Sequence, residues 1–222
     1  MSASRLLLLR HGRTEWNADG RFQGQADIPL DVHGRAQAVA AAEALSATPI
    51  DHVWSSDLKR ALATARQVAD QRGLEVHTDP RLREIHVGSW EGLTAADIAD
   101  IDPEFAAAYA RGEDVRRSAT GENSVEVASR VGEALREIVA RTEGTVLVGI
   151  HGMAARLGMC AFLDFPYETW HTFTGMNNCH WIDLDVDGRG RWRLRGYNVG
   201  VLEGSDGERQ VNPLERAAMA ER

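Results

Sequence analysis

The chain predicts an α/β protein, a three-layer α/β/α sandwich with a mostly parallel central sheet and a helical lid insertion. The first observation behind this is four consecutive leucines at residues 6–9, an apolar run stopped by Gly12 that reads as a strand buried on both faces. The second is a matching run at residues 145–150, which reads as another fully buried strand. The third is the helical periodicity of much of the chain between them, since helices must cover the two faces that such strands bury. Arg10-His11-Gly12 and His151-Gly152 then fall at the carboxyl ends of the two strands, where open α/β sheets bind ligands. Gly12 is expected to let the backbone turn closely beside the ligand.

The remaining elements follow in order. Residues 16–29 are rich in Asn, Asp, Gly and Gln and read as an irregular loop over the ligand end, with Asn17, Gln23 and Gly24 as its contacts. Asp31 reads as the N-cap of a helix with Ala38, Ala41, Ala42 and Leu45 inward, ended by Pro49. Residues 51–55 form a short strand, and Ser56 is the expected cap of a helix buried along Leu58, Ala61, Leu62, Ala65 and Val68. That helix carries Lys59 and Arg60 in its first turn, where the macrodipole disfavours each cation by about 0.3–1 kcal/mol. A bound anion would offset this, and Arg60, set between Leu58 and Ala61, is the one placed to lean toward the strand ends.

Residues 75–78 read as a strand, and residues 81–92 as a Gly-bracketed segment too polar for a core strand and too aromatic for a plain linker. Residues 93–121 are weakly helical and broken by Pro103 and Gly112; they read as the lid, with Phe105, Tyr109, Arg111, Arg116 and Arg117 as candidate substrate contacts. Asn123 and Glu126 suggest a capping box for a long helix with Val127, Val131, Leu135 and Ile138 inward, closed by Gly144. A helix over residues 153–162 follows His151-Gly152, and its first amides are expected to point at the same anion. Residues 179–197 read as two strands joined through Asp187-Gly188, with Trp192 and Leu194 on one face and Arg191, Arg193 and Arg195 on the other. Residues 205–222 read as a flexible polar tail, which leaves a single domain over residues 1–204.

Composition narrows the function. A formal charge of −8 with 43% hydrophobic and 26% charged residues describes a globular protein whose partner is neither nucleic acid nor an acidic membrane surface. An anion site must therefore be a local basic pocket. No apolar run is long enough to span a bilayer and no cleavable leader is evident, so a cytoplasmic location is expected. Cys160 and Cys179 lack metal or redox spacing and read as reduced core residues.

The motifs RHGRTEWN (10–17), RFQG (21–24), SSDLKRALATA (55–65), LREIHVGSWEG (82–92) and the late HG (151–152) resemble, in order and spacing, the histidine phosphatase superfamily, also called the phosphoglycerate mutase-like family. The resemblance extends over nearly the whole chain to residue 200. The residue types suit the chemistry it implies. A neutral imidazole at His11 can attack phosphorus and form a labile phosphoramidate, dividing one hard displacement into two easier ones. Arg10 and Arg60 offer forked donors to the equatorial oxygens and favour the neutral form of His11.

By resemblance, His151 completes the clamp, Asn17 donates to the phosphoryl group, Gln23 lines the pocket beside Gly24 and Gly152, and Glu84 is the proton donor to the leaving oxygen. That last role requires Arg81 and Arg83 to point away from Glu84. No metal or other cofactor is expected. His11 and His151 as metal ligands are the alternative, but arginines repel a cation and no HExxH or Cys/His cluster exists.

LREIHVGSWEG and RFQGQAD resemble the phosphatase branch, whereas the mutases usually carry a tyrosine where this chain has Val87. The expected substrate is a small phosphate ester, a phosphoglycerate or glucosyl-3-phosphoglycerate among the candidates, and a homodimer among the assemblies. A 2,3-bisphosphoglycerate-dependent mutase and a non-catalytic phosphate-binding module are the alternatives. Arg13, where Glu or Gln is common, and Asn123, in place of the usual Ser, are departures that bear on substrate choice.

Overall fold

Among the described residues six strands form one sheet, in the spatial order Val76–Thr78, His52–Ser55, Gly144–Ile150, Ala3–Arg10, Trp181–Val186 and Trp192–Val199. The computed structural model describes residues 2–201; the expected tail at 205–222 and the domain end at residue 204 lie outside them. In chain order the elements are β1 (Ala3–Arg10), α1 (Glu15–Ala18), α2 (Val32–Ala44), β2 (His52–Ser55), α3 (Lys59–Asp70), β3 (Val76–Thr78), α4 (Ala95–Ile101), α5 (Pro103–Ala110), α6 (Ser124–Arg141), β4 (Gly144–Ile150), α7 (Gly152–Phe162), β5 (Trp181–Val186) and β6 (Trp192–Val199). β1, β2, β3 and β4 are mutually parallel, and β5 and β6 add an antiparallel margin beyond β1.

The chain leaves β1 toward β2 on one side and leaves β4 toward β5 on the other, so β1 and β4 flank the point where strand order reverses. Connections in opposite directions put helices on opposite faces. Leu7 and Leu9 of β1 accordingly pack with α2 and α3, and Leu6 and Leu8 with α6 and α7. All four leucines are fully buried, a contribution of roughly 2 kcal/mol each. The predicted three layers are therefore present, and the cleft they create opens at Arg10 and Ile150.

Local chemistry fixes the elements that matter for that cleft. Asp31 caps α2 by accepting from Gly34 N at 2.6 Å, and Asn123 with Glu126 forms the capping box of α6. Three expectations are corrected, and Gly12 gains a further constraint. The loop after β1 begins with a helical turn, α1, capped by Thr14 and Asn17. α3 has Leu58 rather than Ser56 at its N-cap, with no side-chain cap. Gly144 does not close α6, which ends at Arg141; it opens β4 with φ +69°. Gly12 is required by α2, because a Cβ there would collide with the Gly34 backbone and a Cβ on Gly34 would collide with Arg13 O.

The expected lid forms as α4 and α5 and is folded into the core: Ile98, Phe105 and Ala108 are buried, the first two in the cluster that holds Leu6 and Leu8. Cys160 and Cys179 are free and buried, and burial pushes the Cys160 thiol up to about 12. Among the described residues no helix is long and apolar enough to cross a membrane.

Candidate active site

β1 carries Arg10 to the carboxyl edge of the sheet, and His11 N donates to Ile150 O at 3.0 Å, which ties the loop after β1 to the end of β4. The His11 ring is only 3% exposed, and its Nδ1 lies 2.7 Å from Gly12 O. A carbonyl can only accept, so Nδ1 carries the proton and Nε2 is left with its lone pair. Burial, reinforced by the charges of Arg60 and Arg10, holds the His11 pKa well below the usual histidine value. The ring is thus neutral at physiological pH, with Nε2 unprotonated.

His151 caps the end of β4 and is fully buried, its ring centroid 5.2 Å from that of His11. Its Nε2 lies 2.9 Å from Ser56 Oγ, while its Nδ1 is buried without a partner. Burial first, then Arg60 and His11, lowers its pKa well below the usual value. Ser56, expected to cap a helix, instead orients this imidazole and accepts from Leu58 N at 3.3 Å.

Two guanidinium groups face the pair. Arg10 donates through Nη1 to Met176 O and lies against Gly152, where a Cβ would come within 3.3 Å of Nε. Arg60 is 0% exposed, donating to Ala26 O at 2.7 Å and to Gly24 O at 2.8 Å. Burial lowers both, Arg60 to about 10, and each remains charged near neutrality. The cationic first turn of α3 is divided as expected, since Lys59 pairs with Asp27 at the surface while Arg60 turns inward. Gly24 contributes a carbonyl that braces Arg60, from a backbone with φ +51°.

Glu84 arrives from a segment opened by a short 3-10 turn, Pro80–Leu82. Its carboxylate accepts from Ile85 N at 2.9 Å, Met153 N at 3.2 Å and Ala154 N at 2.9 Å. This corrects the expectation for α7: its first amides are occupied by Glu84 rather than directed at a substrate anion. The cause is the macrodipole, which draws a carboxylate as readily as a phosphate. Arg81 pairs with Asp79 and Glu137, and Arg83 with Asp57, so both are turned to partners other than Glu84.

Asn17 Oδ1 accepts from Thr14 N and Thr14 Oγ1, at 3.2 and 3.1 Å, which leaves Nδ2 as a donor. Gln23 is 8% exposed, and its Oε1 is buried without a partner. Of the lid candidates, Phe105 is buried against Trp90, while Arg111 pairs with Glu113 and Arg116 with Glu126 at the surface. Arg117 lies over the Phe105 and Tyr109 rings and reaches Met153 Sδ at 3.9 Å.

Sequence reasoning missed Asn178, which is 4% exposed and donates through Nδ2 to His11 O at 2.8 Å. Its signal was a pair of amides, Asn177-Asn178, just before the apolar run of β5 at the sheet end that holds the site. Thr64 was also missed; its Oγ1 accepts from Gly12 N at 3.1 Å. Among the described residues seven buried polar side-chain atoms have no partner, and five of them belong to Arg10, Gln23, Arg60, His151 and Asn178. Buried polar groups are normally satisfied, so this concentration marks where a polar ligand is received. Among the described residues no group of three His, Cys, Asp or Glu side chains could hold a metal.

A neutral imidazole and two buried guanidinium groups at the switch point of a parallel sheet define a site for phosphoryl groups. The chain belongs to the histidine phosphatase superfamily (branch 1), which matches residues 6–200. It is 39% identical over 224 residues to glucosyl-3-phosphoglycerate phosphatase of Mycobacterium tuberculosis, covering 93% of this chain and 99% of that one. The structure of the mycobacterial glucosyl-3-phosphoglycerate phosphatase in complex with VO3 superposes with a TM-score of 0.82 at 38% identity, covering 89% and 100% of the two chains. A protein of Serratia proteamaculans named as a probable phosphoglycerate mutase is 37% identical over 193 residues, covering 86% and 89%.

Proposed function

We propose that the protein is a metal-independent phosphomonoesterase that hydrolyses a small phosphorylated metabolite through a phosphohistidine at His11. The observation that carries this is the tautomer of His11: Gly12 O holds the proton on Nδ1 and so presents Nε2 to the cleft. Nε2 attacks phosphorus as the bond to the ester oxygen breaks, and Glu84 delivers a proton to that oxygen. Glu84 then takes a proton from water, whose oxygen displaces the imidazole and releases inorganic phosphate.

Arg10, Arg60 and Asn17 Nδ2 stabilise the equatorial oxygens, supplying by guanidinium the charge that other phosphoryl-transfer sites take from a metal. His151 acts through Nδ1. With Nε2 engaged by Ser56 Oγ, Nδ1 is the ring nitrogen left for the substrate, and in the tautomer that has its proton there, with the Ser56 hydroxyl donating to Nε2, it donates to a phosphoryl oxygen. Gln23, Gly24 and Gly152 shape the pocket.

Glucosyl-3-phosphoglycerate or a phosphoglycerate is the proposed substrate, by similarity to the mycobacterial enzyme. Val87 stands where the mutases usually carry a tyrosine and is buried, 1% exposed, beside Gly24, so this position brings no hydroxyl to the site, which supports hydrolysis over isomerisation. The test is phosphate release from p-nitrophenyl phosphate, 3-phosphoglycerate and glucosyl-3-phosphoglycerate with a chelator present. Release from one of the metabolites at undiminished rate supports the reading. Conversion of 3- to 2-phosphoglycerate with 2,3-bisphosphoglycerate as primer, in preference to release, overturns it.

A further inference from the structure

Arg130 lies on α6, outside every motif that marks the site, yet its guanidinium uses all five of its N–H donors. Nη1 donates to Arg81 O and Arg83 O, each at 2.7 Å, and Nη2 to Glu84 O at 2.9 Å. The other two bonds go to Glu122, from Nε to Oε1 at 2.7 Å and from Nη2 to Oε2 at 2.8 Å. Glu122 in turn accepts from His86 N at 2.8 Å through Oε2, and its own amide donates to His86 O at 2.8 Å.

This arrangement has a consequence for Glu84. Residues 81–86 form no strand and would be free to shift if their carbonyls were bonded only to water. The pair holds the segment by its backbone at four residues, 81, 83, 84 and 86, and leaves every side chain free for other partners. The Glu84 carboxylate is thereby fixed against the first amides of α7. Glu122 also lies where the chain returns from the lid insertion, so the same pair ties that return to residues 81–86. An ion pair meant only for surface stability would have no need of three backbone acceptors within four residues, and exposed pairs contribute little. Both partners here are largely buried, at 19% and 21% exposure.

We propose that Arg130, with Glu122, is a positioning residue that sets the aim of the Glu84 carboxyl group toward the leaving oxygen. This rests on the proposed proton-donor role of Glu84. A displacement of about 1 Å can cost roughly 10²-fold in a positioned step. The effect should fall on esters whose leaving group needs protonation and should spare aryl esters, whose phenolate departs with little help.

The experiment compares turnover of 3-phosphoglycerate and p-nitrophenyl phosphate by the full chain, as wild type, Glu84→Gln, Arg130→Met, Arg130→Lys and the Glu84→Gln/Arg130→Met double variant, with thermal melts of each. Arg130→Met is expected to lower the alkyl-to-aryl ratio roughly 10-fold or more, in the direction Glu84→Gln lowers it, and to lower it no further in the double variant. Arg130→Lys, which keeps the charge but not the fork, should give a smaller shift, and it carries the test if Arg130→Met does not fold. If Glu84→Gln shifts the ratio and the folded Arg130 variants leave it unchanged, or if the shifts multiply in the double variant, the positioning role is wrong and the Glu84 reading stands. If Glu84→Gln itself leaves the ratio unchanged, the proton-donor reading fails and the Arg130 inference falls with it.

Discussion

Two strand ends of this protein look alike in sequence and behave differently in space. β1 and β4 are adjacent parallel strands, each buried on both faces and each followed by His-Gly. Yet His11 is pinned through Nδ1 by the carbonyl of its own neighbour, whereas His151 is pinned through Nε2 by a hydroxyl from β2's end. The two imidazoles therefore leave opposite ring nitrogens unengaged, Nε2 in His11 and Nδ1 in His151. Residue type fixes what chemistry is available, and the partner of the second ring nitrogen decides which part each histidine plays.

Replacing His11 by Ala should break this comparison most severely, with turnover of any ester falling by roughly 10⁴-fold or more, because the covalent route is lost. His151→Ala should retain the covalent route and lose roughly 10²-fold, as should Arg60→Ala, since each removes one donor from the transition state. Steady-state rates of purified, folded variants check both, and a His151 variant as dead as the His11 variant would erase the distinction. Ser56→Ala should cost least, roughly threefold to tenfold, the worth of one net hydrogen bond that fixes a tautomer.

The same comparison can be sharpened by pH. Burial and nearby guanidinium charge lower the pKa of both rings, so their imidazole NMR signals should keep neutral shifts as pH falls through ~6.5. The linked effect on stability has a definite sign. The unfolded chain takes up protons at both histidines below ~6.5 while the native state does not, so native stability should decline as pH drops through that range. Chemical denaturation at several pH values measures it, with a His11→Ala/His151→Ala variant as the flat reference.

The sequence disclosed the sheet core, the helix faces and the principal polar residues because each is written in local patterns. The leucine run needs helices on both sides, and Arg60 stands where a helix start penalises a cation. What it could not disclose depends on partners distant in the chain. That α7's amides are spent on Glu84, that Gly12 is dictated by Gly34, and that Asn178 and Arg130 hold the backbone of site residues all rest on contacts spanning 22 to 167 residues. No periodicity encodes such contacts. The lid shows the same limit: its weak helical periodicity gives no sign that Phe105 packs edge-on against Trp90, fifteen residues away.

The account turns on which nitrogen of which histidine takes the phosphoryl group. Rapid quench of the protein with 32P-labelled substrate into alkali, followed by proteolysis and mapping of the labelled peptide, answers this directly. The account predicts an acid-labile, base-stable label on the peptide containing His11, attached at Nε2, and its absence from His11→Ala. A label on His151, attachment at Nδ1, or phosphate release in the His11→Ala variant at the wild-type rate would contradict it.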